Sequence, residues 1–303
     1  MTSHASRDSH DLPERAAWEQ AVAAGLARLA AACAPGTRGW CAGAACILEA
    51  SAPKPGNVHP GAAFPDLTHE ELVAAAIAIA PLMDRAAAAP LGRTILAAVE
   101  ASARVTRSNA NLGIVLAIAP LAAADPPDRV LEPLTRLAPA DAADVWRAIA
   151  VARPGGMGTS DRHDLRSPPP ADLRAAMHAA AHRDQIAALW ATGYTGLFAG
   201  LVADLAAEVA AGQSLDDAIV RSHLRQLARE PDTLIARRHG ADVAADVSRR
   251  AAAVLAADPD WRPAAAAFDR SLRAPRRVNP GTTADLLAAA LYILLREDRI
   301  RIE

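Results

Sequence analysis

Apolar residues recur along most of this chain at helical rather than strand spacing. Between Leu91 and Arg107, the residues Leu91, Ile95 and Val99 fall four apart while Arg93, Glu100, Arg104 and Arg107 take the opposite side, which predicts an amphipathic outer helix. Leu112 to Ala124 is apolar on every side and predicts a central helix, kinked or ended near Pro120. The first helix is announced by Asp11-x-x-Glu14 and runs to about Cys33, where Pro35 and Gly36 stop it; a short one follows from Trp40 to about Ala50. Thr68-x-x-Glu71 is a capping box, so helix resumes after Asp66 and extends to the late eighties. Two shorter helices separate around Pro139, and helical pattern returns from Ala171 to Thr192, Tyr194 to Ala211, Ser214 to Arg229 and onward to Arg273. Asn279 to Leu295 closes the series, with Asp285 the only charge between Arg277 and Arg296. Ala152 to Pro170 shows no periodicity, and a loop of that length in a helical protein reads as a lid.

Composition sharpens this to an all-α fold. Hydrophobic residues make up 52% of 303 but aromatics only 3%, so the core must be Ala, Leu, Val and Ile, a set that favours closely packed helices. No repeat or linker divides the chain, which gives a loose tail over 1–12 and a single helical catalytic domain over 13–303. A formal charge of −2 supplies no field for nucleic acid or an anionic membrane. Cys33, Cys41 and Cys46 form neither a disulfide framework nor a zinc pair, and a reducing compartment fits. The N-terminus lacks the apolar stretch of an export signal, and no apolar run is long enough to cross a bilayer, so a cytoplasmic location is expected.

Candidate chemistry concentrates in EASAPKPGNVHPGAAFPD, Glu49 to Asp66. Pro53 and Pro55 force a loop, Gly56 allows close backbone approach, and Lys54, Asn57, His59 and Asp66 add a cation, an amide, an imidazole and a carboxylate. That set suits a phosphate or metal-phosphate site, or an ordinary helix-stopping loop. A second candidate is the start of the last helix, where Asn279, Gly281, Thr282 and Asp285 follow one another at a helix N-terminus set inside the fold. Thr282-x-x-Asp285 also reads as a plain capping box, and Asp232 after Glu230-Pro231 as a plain N-cap.

The order KPGNVH, SNANLG, RPGGMG, AAHRDQIA, DTLIARRHG, NPGTTADLL resembles the triphosphoribosyl-dephospho-CoA synthase family, which makes the prosthetic-group precursor of citrate lyases and malonate decarboxylases. The resemblance spans about Cys41 to Leu295. It implies an all-helical, magnesium-using transferase that takes ATP as substrate, joins its triphosphoribosyl group to the 2′-hydroxyl of 3′-dephospho-CoA and releases adenine. One departure stands out: the lyase-associated branch typically carries NTHKG in its asparagine turn where this chain has NANLG. The turn resembles that of a sister branch associated with one-carbon cofactor users. A related ribosyl or nucleotide transferase with a methanopterin- or methanofuran-type acceptor is the alternative; a non-catalytic helical nucleotide-binding protein is a third reading.

Asp66, Asp232 and Asp285 match acids of the family's motifs, and the chemistry the resemblance implies makes them the candidate catalytic and magnesium-holding acids. Substrate and phosphate contacts fall to Glu49, Lys54, Gly56, Asn57, His59, Asn109, Asn111, Gly113, Arg153, Arg183, Thr233, Arg237, Asn279, Gly281 and Thr282. Arg183 and Asp184 are expected inside a helix, facing different partners. Loss of the adenine base develops positive charge on the ribose, so a carboxylate near that carbon or near the attacking hydroxyl is the first requirement.

Overall fold

The structure, a computed structural model, describes residues 15–108, 111–152, 168–259 and 261–302. Helices hold 72% of it and no strand occurs among the described residues, which makes the fold all-α. In chain order the helices are α1 (Arg15–Ala30), α2 (Arg38–Ser51), α3 (His69–Asp84), α4 (Leu91–Ala103), α5 (Leu112–Ala123), α6 (Leu131–Thr135), α7 (Pro139–Ala152), α8 (Leu173–Ala180) and α9 (Gln185–Thr192). Then come α10 (Thr195–Ala210), α11 (Leu215–Arg229), α12 (Thr233–His239), α13 (Ala241–Ala256), α14 (Trp261–Arg273) and α15 (Gly281–Arg296). The stretch expected as a lid lies largely outside the described residues, as do the N-terminal tail, Asn109 and Arg153.

Three helices form the centre because their sequences are apolar on every face. α15 is buried from Leu286 through Leu294, α2 from Cys41 through Ser51, and α5 from Ile114 through Ala122. α15 packs on α2, α5 and α11; α2 also lies against α3, and α4 pairs with α7. Many of the buried residues on these central helices are alanines, whose small side chains allow close helix packing. Thr68 and Glu71 form the expected capping box at the start of α3.

Pro120 sits inside α5 rather than ending it, and the core compensates. Having no N–H, it leaves the Leu116 carbonyl without its helical donor; Trp190 Nε1 donates to that oxygen at 2.9 Å, and Tyr194 Oη donates to the Ala117 carbonyl at 2.9 Å. Both aromatic side chains are fully buried there.

Two expected helices are broken. The run Ala171–Thr192 is interrupted by a turn at 181–184, so Asp184 is the N-cap of α9 rather than a mid-helix residue, with its side chain accepting from Ile186 N and Ala187 N. The segment beyond Arg229 divides into α12, α13 and α14, with Gly240 separating the first pair. No single helix among the described residues is long and apolar enough to cross a membrane; α9 and α10 pass such a test only as a pair bent by 106°.

Candidate active site

Four helices begin at one place: α5 after Asn111, α9 after Asp184, α12 after Asp232 and α15 after Pro280. Side chains at those termini hold them together. Asp232, fully buried, accepts from Ile235 N of its own helix at 3.0 Å through Oδ1, and from Thr283 N (2.7 Å) and Thr283 Oγ1 (2.8 Å) through Oδ2. Gln185 Oε1 accepts from Thr233 N at 3.2 Å, and Thr233 Oγ1 lies 3.2 Å from Thr282 Oγ1. The first turns of α9, α12 and α15 are thereby locked in register. α5 meets them at Gly113: a Cβ there would lie 2.5 Å from Asp285 Cγ and nearer still to Oδ2, so only glycine admits the carboxylate of Asp285 against this helix.

Asp285 is half-buried in the second turn of α15. It does not cap that helix: the side chain that binds the first turn of α15 is Asp232, through Thr283 N, and the capping-box reading of Thr282-x-x-Asp285 is excluded. Its proton affinity is pushed well above that of an ordinary carboxylate, first by burial, then by the negative charges of Glu49, Asp232 and Asp184, with Arg237 opposing. Arg237 donates to Asp184 Oδ2 at 2.6 Å, so this cation is already half-neutralised. Asp285 therefore stands among acids that are each committed elsewhere, while its own oxygens have no hydrogen-bond donor among the described residues. Burial likewise raises the proton affinity of Asp232 despite its accepted hydrogen bonds.

Two further features mark a place for a polar ligand. Asn111 and Pro280, the N-cap residues of α5 and α15, make no side-chain cap of their own, and both helices direct the positive ends of their dipoles toward the site. Three buried carboxamides carry an atom without a partner: Asn57 Oδ1, Asn111 Nδ2 and Gln185 Nε2. Asn57 is tied to the start of α15 by donating Nδ2 to Asn279 Oδ1 at 2.7 Å. Unpaired buried amide atoms are costly in a finished core and ordinary where a ligand or water completes them.

Several sequence-based assignments change. Lys54 is not a phosphate cation: it is wholly buried, paired with Glu49 Oε1 at 3.0 Å, and donates to the Glu49 and Ala52 carbonyls, so its three protons are taken within its own loop. Burial lowers its proton affinity, and Glu49 opposes that. Gly56 serves the turn, with φ +80, its N–H donating to Asp269 Oδ1 at 2.7 Å and Pro280 so close that a Cβ would sit 2.8 Å from Cδ. His59 is buried, and burial, Arg273, Lys54 and His69 together hold its pKa down to about 3; it is a neutral ring that accepts from Gly61 N and is no phosphate cation. Asp66 lies outside the junction, exposed and paired with Arg277. Asp232 uses both oxygens to fasten helices. The expected three-acid metal site from Asp66, Asp232 and Asp285 therefore does not form, and among the described residues no group of three or more His, Cys, Asp or Glu could hold a metal ion. Arg183 is exposed in the turn before α9.

Sequence reasoning passed over Asp184 and Gln185 as sites, because the turn at 181–184 has neither Gly nor Pro to announce it. The alternation of Asp184 and Gln185 before an apolar run was the available signal, an N-cap pattern at α9.

The sequence signature of the ATP:dephospho-CoA triphosphoribosyl transferases matches residues 36–302. No functionally curated protein matches the chain. Among solved structures it is similar to one described as a candidate triphosphoribosyl-dephospho-CoA synthase from Archaeoglobus fulgidus, with 21% identity and a TM-score of 0.59 over 74% of this chain and 98% of that one. At that identity the likeness establishes a shared fold.

Proposed function

The chain belongs to the ATP:dephospho-CoA triphosphoribosyl transferase family, and from that premise we propose that Asp285 is the carboxylate around which its transfer takes place. The enzyme joins the triphosphoribosyl group of ATP to 3′-dephospho-CoA, yielding 2′-(5″-triphosphoribosyl)-3′-dephospho-CoA and adenine. The acceptor's 2′-oxygen forms a bond to the ribose C1 of ATP as the bond from C1 to adenine breaks. The electron pair leaves with the base, and the hydroxyl proton has to go elsewhere.

Asp285 suits that proton. Its burial and its acidic neighbours raise its proton affinity, and its oxygens are open, whereas those of Asp232 and Asp184 are engaged. Positive charge developing on the ribose is met by the same carboxylate. The triphosphate, which passes through unbroken, faces the N-terminal ends of α5 and α15 with their helix dipoles, and the amide donors of Asn111 and Gln185, which have no partner among the described residues. Magnesium fits as part of the nucleotide's own chelate, neutralising phosphate charge, since the described donor set offers no cage of protein acids and this ion is commonly held by substrate phosphates with one or two carboxylates.

The single observation carrying this reading is a carboxylate wedged against Gly113 where four helices start, with no hydrogen-bond donor among the described residues. It is tested by incubating the protein with ATP, magnesium and 3′-dephospho-CoA and following adenine release together with the mass of the acceptor. Adenine released in step with a triphosphoribosyl mass gain is expected. Adenine release without that gain, or none at all, overturns it.

A further inference from the structure

A second charged group borders the junction, and the chemistry above leaves it without a task. The loop after Gly56 doubles back through single bridges between His59 and Ala62 and between Phe64 and Leu67. Phe64 is fixed in a small apolar cluster with Val58 and Leu67, and two guanidinium groups stack on its ring: Arg277 at 3.8 Å from the centroid and Arg273 at 5.3 Å.

The two arginines differ in what they hold. Arg273 is committed to the protein, donating to Asp269 Oδ2 at 2.7 Å and to the Asn57 carbonyl. Among the described residues Arg277 has one hydrogen-bond partner, Asp66, through Nη1, and its buried Nε has no acceptor. Asp66 itself is mostly exposed, with 57% of its side chain accessible, so the pair sits in water and contributes little. Arg238 on α12 lies in the same field: burial and the charges of Arg277 and Arg237 lower its proton affinity, Asp66 opposes them, and it has no ion-pair partner among the described residues. Arg237, Arg238 and Arg277 thus meet two carboxylates, Asp184 and Asp66, in a chain whose formal charge is −2. The excess of positive charge is local. It lies four residues before the start of α15, whose second turn carries Asp285.

We propose that Arg277, with Arg238 beside it, is the receptor for a di- or triphosphate group of a nucleotide substrate, and that Asp66 occupies this receptor until the phosphate displaces it. The inference rests on the transfer reaction proposed above. A guanidinium held flat on an aromatic ring presents its N–H fork in a fixed direction, the geometry in which arginine binds phosphate through two bonds at once. Exchange of an exposed carboxylate for a more highly charged phosphate is favourable because the carboxylate is lost to water at small cost. Both ATP, with its triphosphate, and dephospho-CoA, with its diphosphate bridge, bear the required group.

Calorimetric titration of ATP and of dephospho-CoA separately, in magnesium-containing buffer, tests it on the wild type, Arg277→Met and Asp66→Asn. Methionine keeps apolar contact with Phe64, and melting temperature monitors the fold. Arg277→Met is expected to weaken one nucleotide about 10-fold or more while leaving the other within about twofold, which also identifies the source of the phosphate. Asp66→Asn is expected to strengthen that same nucleotide a few-fold, because it removes the competitor and keeps the receptor. If the ion pair merely pins the loop, both substitutions lower the melting temperature and weaken both nucleotides alike, and the proposal falls. It falls alone if the wild type binds both nucleotides and Arg277→Met binds them equally well. It falls together with the transfer reaction if the wild type binds neither.

Discussion

Asp285→Asn separates the stability of this fold from its chemistry. The carboxylate caps no helix and accepts no hydrogen bond from the described residues, so its replacement by an amide of the same shape breaks no hydrogen bond among them. It does relieve repulsion, because Glu49, Asp232 and Asp184 together with burial make the ionised form unfavourable. The sign follows from proton linkage: the unfolded chain gives up this proton near 3.8, the folded protein retains it to higher pH, and in that interval the folded state binds more protons. Stability in the wild type therefore falls as pH rises through the interval, and the loss persists above the folded value. Asparagine has no proton to lose, so the variant escapes it.

The two proteins should melt together below about pH 4, while at pH 7.5 the variant should be more stable by about 0.5–2 kcal/mol, the usual gain when a destabilised site position is relieved. In a chain of this size that raises the melting temperature by a few degrees, at roughly 2–4 °C per kcal/mol for somewhat smaller proteins. Other titrating groups are common to both proteins and cancel in the difference. Adenine release in the presence of acceptor should fall by about 100-fold or more, the effect of losing a positioned base. Thermal melts at the two pH values and a turnover assay at the higher one suffice. A variant that melts lower at pH 7.5 would mean the carboxylate holds the fold together, and one that turns over normally would remove it from the reaction; either result refutes the argument.

Lys54→Met should destabilise the protein by about 3–5 kcal/mol in chemical denaturation, because it strands the buried Glu49 charge; adding Glu49→Gln should recover a large part, and an undiminished stability in the single variant would return Lys54 to a ligand-binding role. Gly113→Ala favours helix by about 1 kcal/mol on propensity alone but drives a methyl group into the Asp285 carboxylate, so turnover should drop at least about 10-fold with the melting temperature held or raised, and full activity would show that the carboxylate does not need its place against α5.

The sequence made two of the three central helices legible for a simple reason: a helix apolar on every face has nowhere to go but the centre, and α5 and α15 are such helices, whereas α2 reads only as a short helix leading into the KPGNVH loop. It could not show whether Pro120 would end α5, because the compensation comes from Trp190 and Tyr194, more than seventy residues away. In the site the hidden partners lie both near and far in sequence. KPGNVH reads as a phosphate loop while Lys54 is considered as an isolated cation; once folded, the chain returns to surround that ammonium with Glu49 and two carbonyl oxygens. Asp232 reads equally well as cap or ligand until Thr283, from a helix fifty-one residues on, supplies two donors to its second oxygen. Local spacing identifies which residues are unusual but not which of them will be satisfied by the protein itself.

That distinction explains how so acidic a junction can serve a polyanionic substrate. Glu49 is neutralised by Lys54, Asp184 by Arg237, and Asp232 by the amides and hydroxyl it accepts from, so each of these charges stabilises a piece of scaffold rather than confronting the nucleotide. What they retain is their field, which reaches Asp285 and raises its hold on a proton. The phosphates need cations or helix starts, and the chain supplies both: the N-terminal ends of α5 and α15, and the arginines at 237, 238 and 277. A carboxylate intended to accept a proton must be kept from ionising too readily and from pairing permanently. Gly113 lets it in, the capped aspartates withhold donors from it, and the buried Lys54 is already occupied. Each acid that sequence alone marks as catalytic thus has a distinct physical task, with Asp232 setting geometry, Asp66 holding an arginine at the rim, and Asp285 left free for the reaction.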